Sequence, residues 1–155
     1  MSAAAVQISV PLHQEGTQFW QKVIEHCRNH VEAINRAALS GGISPDSLVQ
    51  LTSEPEIRMR KAGYPSTEVK ASLSFFSWGP VIQCKVSGFR DANHSFLTKE
   101  FEIPIGRDLD GEVVGIYDEG RSFCPRDVAC YLTQSFRVCF PSVALPCGQP
   151  PEPAK

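Results

Sequence analysis

Four consecutive runs between Thr67 and Tyr117 alternate apolar and polar residues, and a turn signal separates each run from the next. Successive side chains of a β-strand point to opposite faces, so each run predicts a strand with one buried face. The short connections predict an antiparallel meander in which consecutive strands pair. The residues that share the apolar face are Val69, Ala71, Leu73, Phe75, Ile82, Cys84, Val86, Gly88, Leu97, Phe101, Ile103, Ile105, Val114 and Ile116.

The register of this meander follows from keeping the apolar residues on one face, because a slip of one residue would turn a strand over. It places Lys85 opposite Glu100 on the polar outer face, an attractive pair that was not used to choose the register. It also predicts two apolar rows across the sheet, with Phe75, Ile82, Ile103 and Val114 in one and Leu73, Cys84, Phe101 and Ile116 in the other.

Two helices flank the meander. Apolar residues recur at helical spacing from about Gln18 to Leu39, with Thr17 as the candidate N-cap. A closing helix is predicted from Cys124 to about Phe140, because a proline and an acid occupy its first turn. The glycines that end the first helix are Gly41 and Gly42, and the proline that ends the second is Pro141.

Three shorter patterns surround these elements. The alternation of Val6–Val10 predicts a short strand at the start of the chain. A proline after Ser44 predicts a helical turn that continues to about Leu51. The alternation of Glu56–Arg60, with two arginines on one side, predicts an additional strand at an edge of the sheet.

Together these elements predict an α+β fold. It is a two-layer sandwich in which an antiparallel meander of four to five strands carries the long N-terminal helix and the C-terminal helix on one face. Residues 1–140 form a single domain. Residues 141–155 are rich in proline and poor in bulky apolar residues, and they predict an extended or disordered tail.

The charge balance excludes the usual signature of a nucleic-acid-binding protein. Fifteen basic residues against seventeen acidic ones give a net charge of −2, and nucleic-acid recognition normally needs a basic surface. No apolar run is long enough to span a bilayer, and the first residues lack a signal-peptide pattern. We therefore expect a soluble cytoplasmic protein with no nucleic-acid or membrane partner, and no cofactor is implied.

Six cysteines are spread along the chain without a C-x-x-C pair. We expect them to be reduced in the cytoplasm, with a disulfide framework in a secreted protein as the alternative. Cys124 is the candidate nucleophile, because Arg121, Arg126 and the helix start favour its thiolate. The alternative is that Cys124 packs as a small apolar residue, since the sequence indicates no base beside it.

His26 and His30 are four residues apart, so they lie on one face of the first helix. Two imidazoles at this spacing can bind one metal ion, but the sequence indicates no third ligand. We therefore expect no metal site, and we expect both histidines to be partly exposed helix residues.

Four bulky residues fall on the outer face, where the alternation predicts contact with water: Phe76, Val81, Phe89 and Phe96. The register opposes Phe76 to Val81 at one end of this face and Phe89 to Phe96 at the other. Apolar pairs on a wet sheet face indicate that something covers them. The chain's own tail or N-terminus is one candidate, and a partner protein or a second copy is the other.

These observations favour a non-catalytic binding or protein-interaction module, with a homo-oligomer as one possible form. The first alternative is a small-ligand binder with a pocket between the sheet and the helices. Its candidate lining residues are Trp20, Leu73, Phe101 and Tyr131. The second alternative is a thiol-dependent enzyme that uses Cys124. The sequence favours the absence of enzyme activity over its presence.

Overall fold

The computed structural model describes residues 2–54, 56–117, 121–137 and 139–140, without the side chains of residues 2–11, 96, 97 and 117. The predicted tail, residues 141–155, lies outside the described residues. The helices are α1 (Ser2–Ser40) and α2 (Pro125–Thr133), with 3₁₀ turns at Pro45–Ser47 and Gln134–Arg137. The strands are β1 (Val49–Thr52), β2 (Ile57–Lys61), β3 (Ser66–Phe76), β4 (Gly79–Asp91), β5 (His94–Arg107), β6 (Val113–Tyr117) and β7 (Arg121–Phe123).

The seven strands form one sheet in sequence order, and every neighbouring pair is antiparallel. Both helices contact each other and pack on one face of this sheet, which we call the inner face. The predicted α+β fold with two helices on one face is confirmed. Over the described residues the sheet has seven strands where four to five were expected, and β2, predicted as an edge strand, lies second because β1 pairs with it.

The first helix begins much earlier than predicted. Val6–Val10 is helical and not a strand, and Thr17 lies inside α1, where its hydroxyl donates to the His13 carbonyl at 3.1 Å. Five alternating residues are a weak strand signal, whereas the alanines of Ala3–Ala5 are the strongest helix formers. None of the helices in the described residues is both long and apolar enough to cross a membrane.

The predicted end of the first helix is confirmed. Gly42 adopts a left-handed conformation with φ 88°, which a residue with a side chain rarely tolerates. The Gly42 N–H donates to the Leu39 carbonyl at 3.1 Å, and the Ile43 N–H donates to the Ala38 carbonyl at 3.0 Å. These two bonds form a Schellman motif, which satisfies carbonyls that the helix end would otherwise leave unpaired.

The segment after α1 is a strand where a helical turn was predicted. The turn that begins after Ser44 stops at Ser47, and β1 follows. The Asn35 side chain of α1 binds this edge strand through both halves of its amide. It donates to the Val49 carbonyl at 2.9 Å and accepts the Val49 N–H at 2.8 Å. Asn35 therefore satisfies polar backbone groups that an edge strand otherwise exposes.

The predicted register is confirmed between β4 and β5. Ile82 opposes Ile103 there, and Lys85 opposes Glu100 with 3.8 Å between the ammonium and the carboxylate. Both charged side chains are exposed, so the pair contributes little stability. Its position nevertheless shows that the polar face of the meander is the outer one.

The predicted register is wrong at both other hairpins. Leu73, and not Phe75, opposes Ile82, because Ser77 and Trp78 alone form the β3–β4 turn and Pro80 belongs to the strand. Val114 opposes Gly106 and not Ile103. Gly115, and not Val114, therefore shares the inner face with Ile105. The β3–β4 register differs from the predicted one by two residues, which keeps the faces unchanged, so alternation alone cannot detect the difference. The β5–β6 register differs by three residues, which turns β6 over, so the prediction of Val114 and Ile116 on the inner face is wrong.

Candidate interaction surface

The β3–β4 hairpin ends in three aromatic side chains, Phe75, Phe76 and Trp78, which we call the aromatic tip. Trp78 is 72% exposed and Phe75 is 46% exposed. The rings of Phe76 and Trp78 stack almost parallel, with 4.8 Å between their centroids and 4° between their planes. This stack fixes the orientation of an aromatic surface that faces solvent.

The first helix supports the tip from the inner face. The His13 ring of α1 lies 4.3 Å from the Phe75 ring at an interplanar angle of 30°. The sequence of the tip and its flanks, Ser74–Val81, contains no charged residue. The aromatic tip is therefore a supported and uncharged projection of the sheet.

The structure does not form the two outer-face pairs that the sequence predicted. Val81 is only 2% exposed, and it opposes Ser74 and Pro104 in place of Phe76. Phe89 is 38% exposed and opposes Ser95, because the register shifts on both sides of Phe89. The side chain of Phe96 lies outside the described residues.

The outer face between these two ends is polar. The Ser74 hydroxyl donates to the Gln83 carbonyl oxygen at 2.7 Å, and the Gln83 amide donates to Glu102 at 3.1 Å. An open groove of about 620 Å³ runs over this face, and Gln83 and Glu102 are among its lining residues. The middle of the outer face therefore presents hydrogen-bonding groups and charges where its ends present aromatic rings.

The residues predicted to line a ligand pocket take part in packing. Trp20 and Tyr131 are buried in the core, and Leu73 and Phe101 are half-buried against it. The rings of Phe101 and Tyr131 meet edge to face at 5.1 Å. Lys99, a charged residue on the apolar face of its strand, donates to the Tyr131 hydroxyl at 2.6 Å and lies over both rings. Cation–π contact thus accommodates its ammonium beside the core.

Cys124 is the N-cap residue of α2 and is exposed. Its backbone N–H donates to the Asp127 carboxylate at 3.2 Å, which stabilises the helix start. Cys124 borders a groove of about 670 Å³ between α1 and the β5–β6 loop. None of the described residues that line this groove is a histidine, and its Glu15 is ion-paired to Arg107 at 2.7 Å. The described lining of this groove thus offers the thiol no imidazole base.

The other cysteines of the described residues are three buried thiols and Cys130, which is disulfide-bonded. Burial raises the pKa of the Cys27 thiol to about 12 and also raises the pKa of Cys84. Burial raises the pKa of Cys139 as well, although the Thr67 hydroxyl, 3.2 Å from its sulfur, acts in the opposite direction. Cys130 is disulfide-bonded, so the expectation of six reduced cysteines is wrong at this position.

The two histidines of α1 differ in burial. His26 is half-buried, whereas His30 is buried against α2 and bonds to the backbone of Ala129. Burial lowers the pKa of His30, and repulsion from His26 and Arg126 lowers it further. The rings of the two histidines lie 6.3 Å apart. His30 is thus a neutral contact between the helices.

Acid should weaken this contact. Because the folded-state pKa of His30 lies below the unfolded value of 6.5, the unfolded chain binds more protons as the pH falls through 6.5. We expect the free energy of unfolding to decrease from about pH 7.5 to about pH 5, and His30→Gln to flatten this dependence. Urea denaturation at several pH values measures how the free energy of unfolding depends on pH. His26→Gln should flatten the dependence only in part, because it removes one of the charges that lower the pKa of His30. An unchanged slope in His30→Gln would contradict the assignment.

The described part of the chain brings no three His, Cys, Asp or Glu side chains close enough together to hold a metal ion.

The sequence indicated Phe76 and Phe89 as surface residues but not Trp78, because a turn pattern does not show which face of the sheet a side chain occupies. Of the described aromatic side chains, Trp78 is the most exposed.

Comparison with protein-family models, curated proteins and solved structures finds no match to this chain.

Proposed function

We propose that this chain is a non-catalytic protein-interaction module that binds through its aromatic tip. The observation that carries the proposal is Trp78, which is 72% exposed and stacked on Phe76. Large aromatic side chains grouped on a surface are typical of interfaces, and tryptophan is enriched among the residues that contribute most to binding.

The geometry lowers the entropic cost of binding. Stacking on Phe76 restricts the Trp78 ring, and the contact with His13 restricts Phe75. Side chains already held in one orientation lose less conformational freedom when a partner covers them. A tip of this kind provides rigid anchors that can insert into an apolar surface.

The partner that we propose is a second copy of the chain. The stretch Ser74–Val81 carries no charge, so two tips can approach each other without repulsion between like charges. Identical surfaces pair most simply about a two-fold axis, which brings each tip against its equivalent. The proposed module is thus a homo-oligomer joined through the hairpin ends.

Removing the exposed rings should abolish self-association. We expect the wild type to sediment as a concentration-dependent oligomer and the Phe75→Ser, Trp78→Ser double variant to sediment as a monomer. Burying one such side chain is worth roughly 1.5–3 kcal/mol, so losing two from each subunit should remove most of the binding energy. Analytical ultracentrifugation over a range of concentrations measures the shift.

Leu109→Ser supplies the matched control, because Leu109 is fully exposed on the β5–β6 loop, outside the tip. It should leave sedimentation unchanged. Circular dichroism of all variants should show the same fold, since exposed residues contribute little to stability. A monomeric wild type, or an oligomer that survives the double substitution, would contradict the proposal.

A further inference from the structure

We infer that the cleft beside Phe89 binds a small organic anion that carries an aromatic ring. The cleft lies between the β2–β3 loop and the end of β4, and its volume is about 330 Å³. Pockets for small molecules start at about 300 Å³, so this volume suits a compound with a single ring. Such a ligand would cover Phe89, an exposed aromatic residue of the outer face whose cover the sequence did not identify.

Two exposed aromatic residues line the cleft. Tyr64 of the β2–β3 loop is 59% exposed, and Phe89 of β4 is 38% exposed. The buried Lys61 ammonium holds the loop, because it donates to the Pro65 carbonyl at 2.9 Å and to the Gly63 carbonyl at 3.4 Å. Tyr64 is thus carried by a loop that is held in place before a ligand binds, which lowers the entropic cost of binding an aromatic ring.

Arg60 supplies the positive charge for the anion. It lines the cleft, and the pairing of β2 with β3 places it opposite Glu68. The Glu68 carboxylate, however, lies 3.6 Å from the Lys70 ammonium and 4.0 Å from the Arg58 guanidinium. Among the residues that the structure describes, Arg60 forms no ion pair with an acid. Its guanidinium presents a planar set of N–H donors, which therefore remain available to a carboxylate or a phosphate.

Two serines add hydroxyl groups to the lining of the cleft. Ser87 continues the row of Arg60 and Glu68 across the outer face. Ser66 is the residue of β3 that opposes Phe89. A hydroxyl group can donate a hydrogen bond to an anionic oxygen, so both serines can share the anion with the guanidinium. The cation and the hydroxyls lie on the same face of the sheet as the aromatic ring, as a ligand with an anionic group on a ring requires.

The cleft is separate from the aromatic tip. Ser66 opposes Phe89 whereas Phe76 opposes Gly79, so the two surfaces lie at opposite ends of the β3–β4 hairpin. Binding in the cleft therefore does not depend on the proposed self-association. The double variant of the aromatic tip should bind the same compounds as the wild type, which keeps the tests of the two proposals independent.

A nuclear magnetic resonance titration of the full chain tests the site with four compounds. Phenyl phosphate and benzoate carry both a ring and an anionic group, benzyl alcohol carries only the ring, and inorganic phosphate carries only the charge. We expect the ring-bearing anions to shift the backbone amide signals of Gly63, Ser66 and Ser87, and the tighter of the two identifies the anionic group. Benzyl alcohol and inorganic phosphate should each bind at least about tenfold more weakly, because each lacks one half of the recognised structure.

Three variants assign the binding to named side chains. Arg60→Gln should weaken binding of the ring-bearing anions by about ten- to a hundredfold, since it removes charge-assisted hydrogen bonds. Phe89→Leu should also weaken it, because it removes the ring. Lys85→Gln is the matched control, because it removes the same charge from the outer face at an exposed residue outside the cleft, and it should bind as the wild type does.

All three residues are exposed, so the amide spectrum of each variant should remain that of the folded protein. Two results would overturn the inference about the cleft. The first is that neither phenyl phosphate nor benzoate shifts the signals of its lining residues. The second is that Arg60→Gln binds both compounds as tightly as Lys85→Gln does.

Discussion

Phe136→Ala is expected to destabilise the protein by about 3–5 kcal/mol, because it removes a large side chain from a site that cannot collapse around the cavity. Phe136 lies in the 3₁₀ turn after α2, and its side chain is fully buried in the core cluster. Phe123 and Phe140 belong to the same cluster and are also almost completely buried. A loss of this size approaches the total stability of many single domains.

Urea denaturation measures the effect as a lower transition midpoint with an unchanged slope. Phe101→Ala provides an informative comparison, because Phe101 is half-buried and should cost less than Phe136. Leu109→Ala should change the free energy of unfolding by no more than about 0.5 kcal/mol, since Leu109 is fully exposed. A loss from Phe136→Ala that is no larger than the loss from Phe101→Ala would contradict this description of the core.

The contrast between Phe101 and Phe136 shows what alternation can predict. The pattern places Phe101 on the inner face, and this is correct, because the face of a strand residue depends only on its neighbours in sequence. How completely a residue is buried depends on which helix covers it. The closing helix was predicted to continue to about Phe140, whereas α2 ends at Thr133 and a 3₁₀ turn carries Phe136 into the core.

The inability of local patterns to show tertiary contacts also explains why the strands β1 and β7 were not predicted. β1 and β7 contain four and three residues, too few for an alternating pattern to be distinguished from chance. The contacts that hold β1 come from distant parts of the chain, such as the Asn35 amide on Val49. The residues around β1 do not indicate such a distant contact, so the position of β1 at the edge of the sheet could not be predicted from them.

The candidate surface was only partly predictable for a related reason. Exposure of Phe89 follows from alternation, and the structure agrees. Trp78 lies in the two-residue turn, where alternation assigns side chains to neither face, so its stacking on Phe76 could not be predicted. Val81 was expected to be exposed on the same grounds as Phe89, yet tertiary packing buries it.

Gly115→Ala is the second substitution for which we expect a large effect, a destabilisation of about 1–3 kcal/mol through overpacking. Gly115 lies in β6 between Ile105 of β5 and Phe123 of β7. A Cβ atom at this position would lie 2.9 Å from the Ile103 Cγ2 and 3.4 Å from the Val128 Cγ2. Ile103 and Val128 are both fully buried, so neither side chain has free space into which to move.

An opposing effect must be weighed against this steric cost. Replacing glycine by alanine restricts the unfolded chain and stabilises a compatible site by about 0.4–1 kcal/mol. Gly41→Ala isolates that effect, because its Cβ would lie 3.5 Å from the nearest carbonyl oxygens, an ordinary contact. We therefore expect Gly41→Ala to be neutral or slightly stabilising and Gly115→Ala to be destabilising, both measured by chemical denaturation.

A double-mutant cycle identifies the clash as the cause. Ile103→Ala removes the Cγ2 atom that a Cβ at Gly115 would meet, so Gly115→Ala should cost less in that background than in the wild type. The coupling should be absent between Gly115→Ala and a substitution at exposed Leu109, which lies outside this contact. Equal costs in the wild-type and Ile103→Ala backgrounds would show that close packing at Ile103 is not why this position is a glycine. The destabilisation would then have to come from the contact with Val128 or from the backbone of β6.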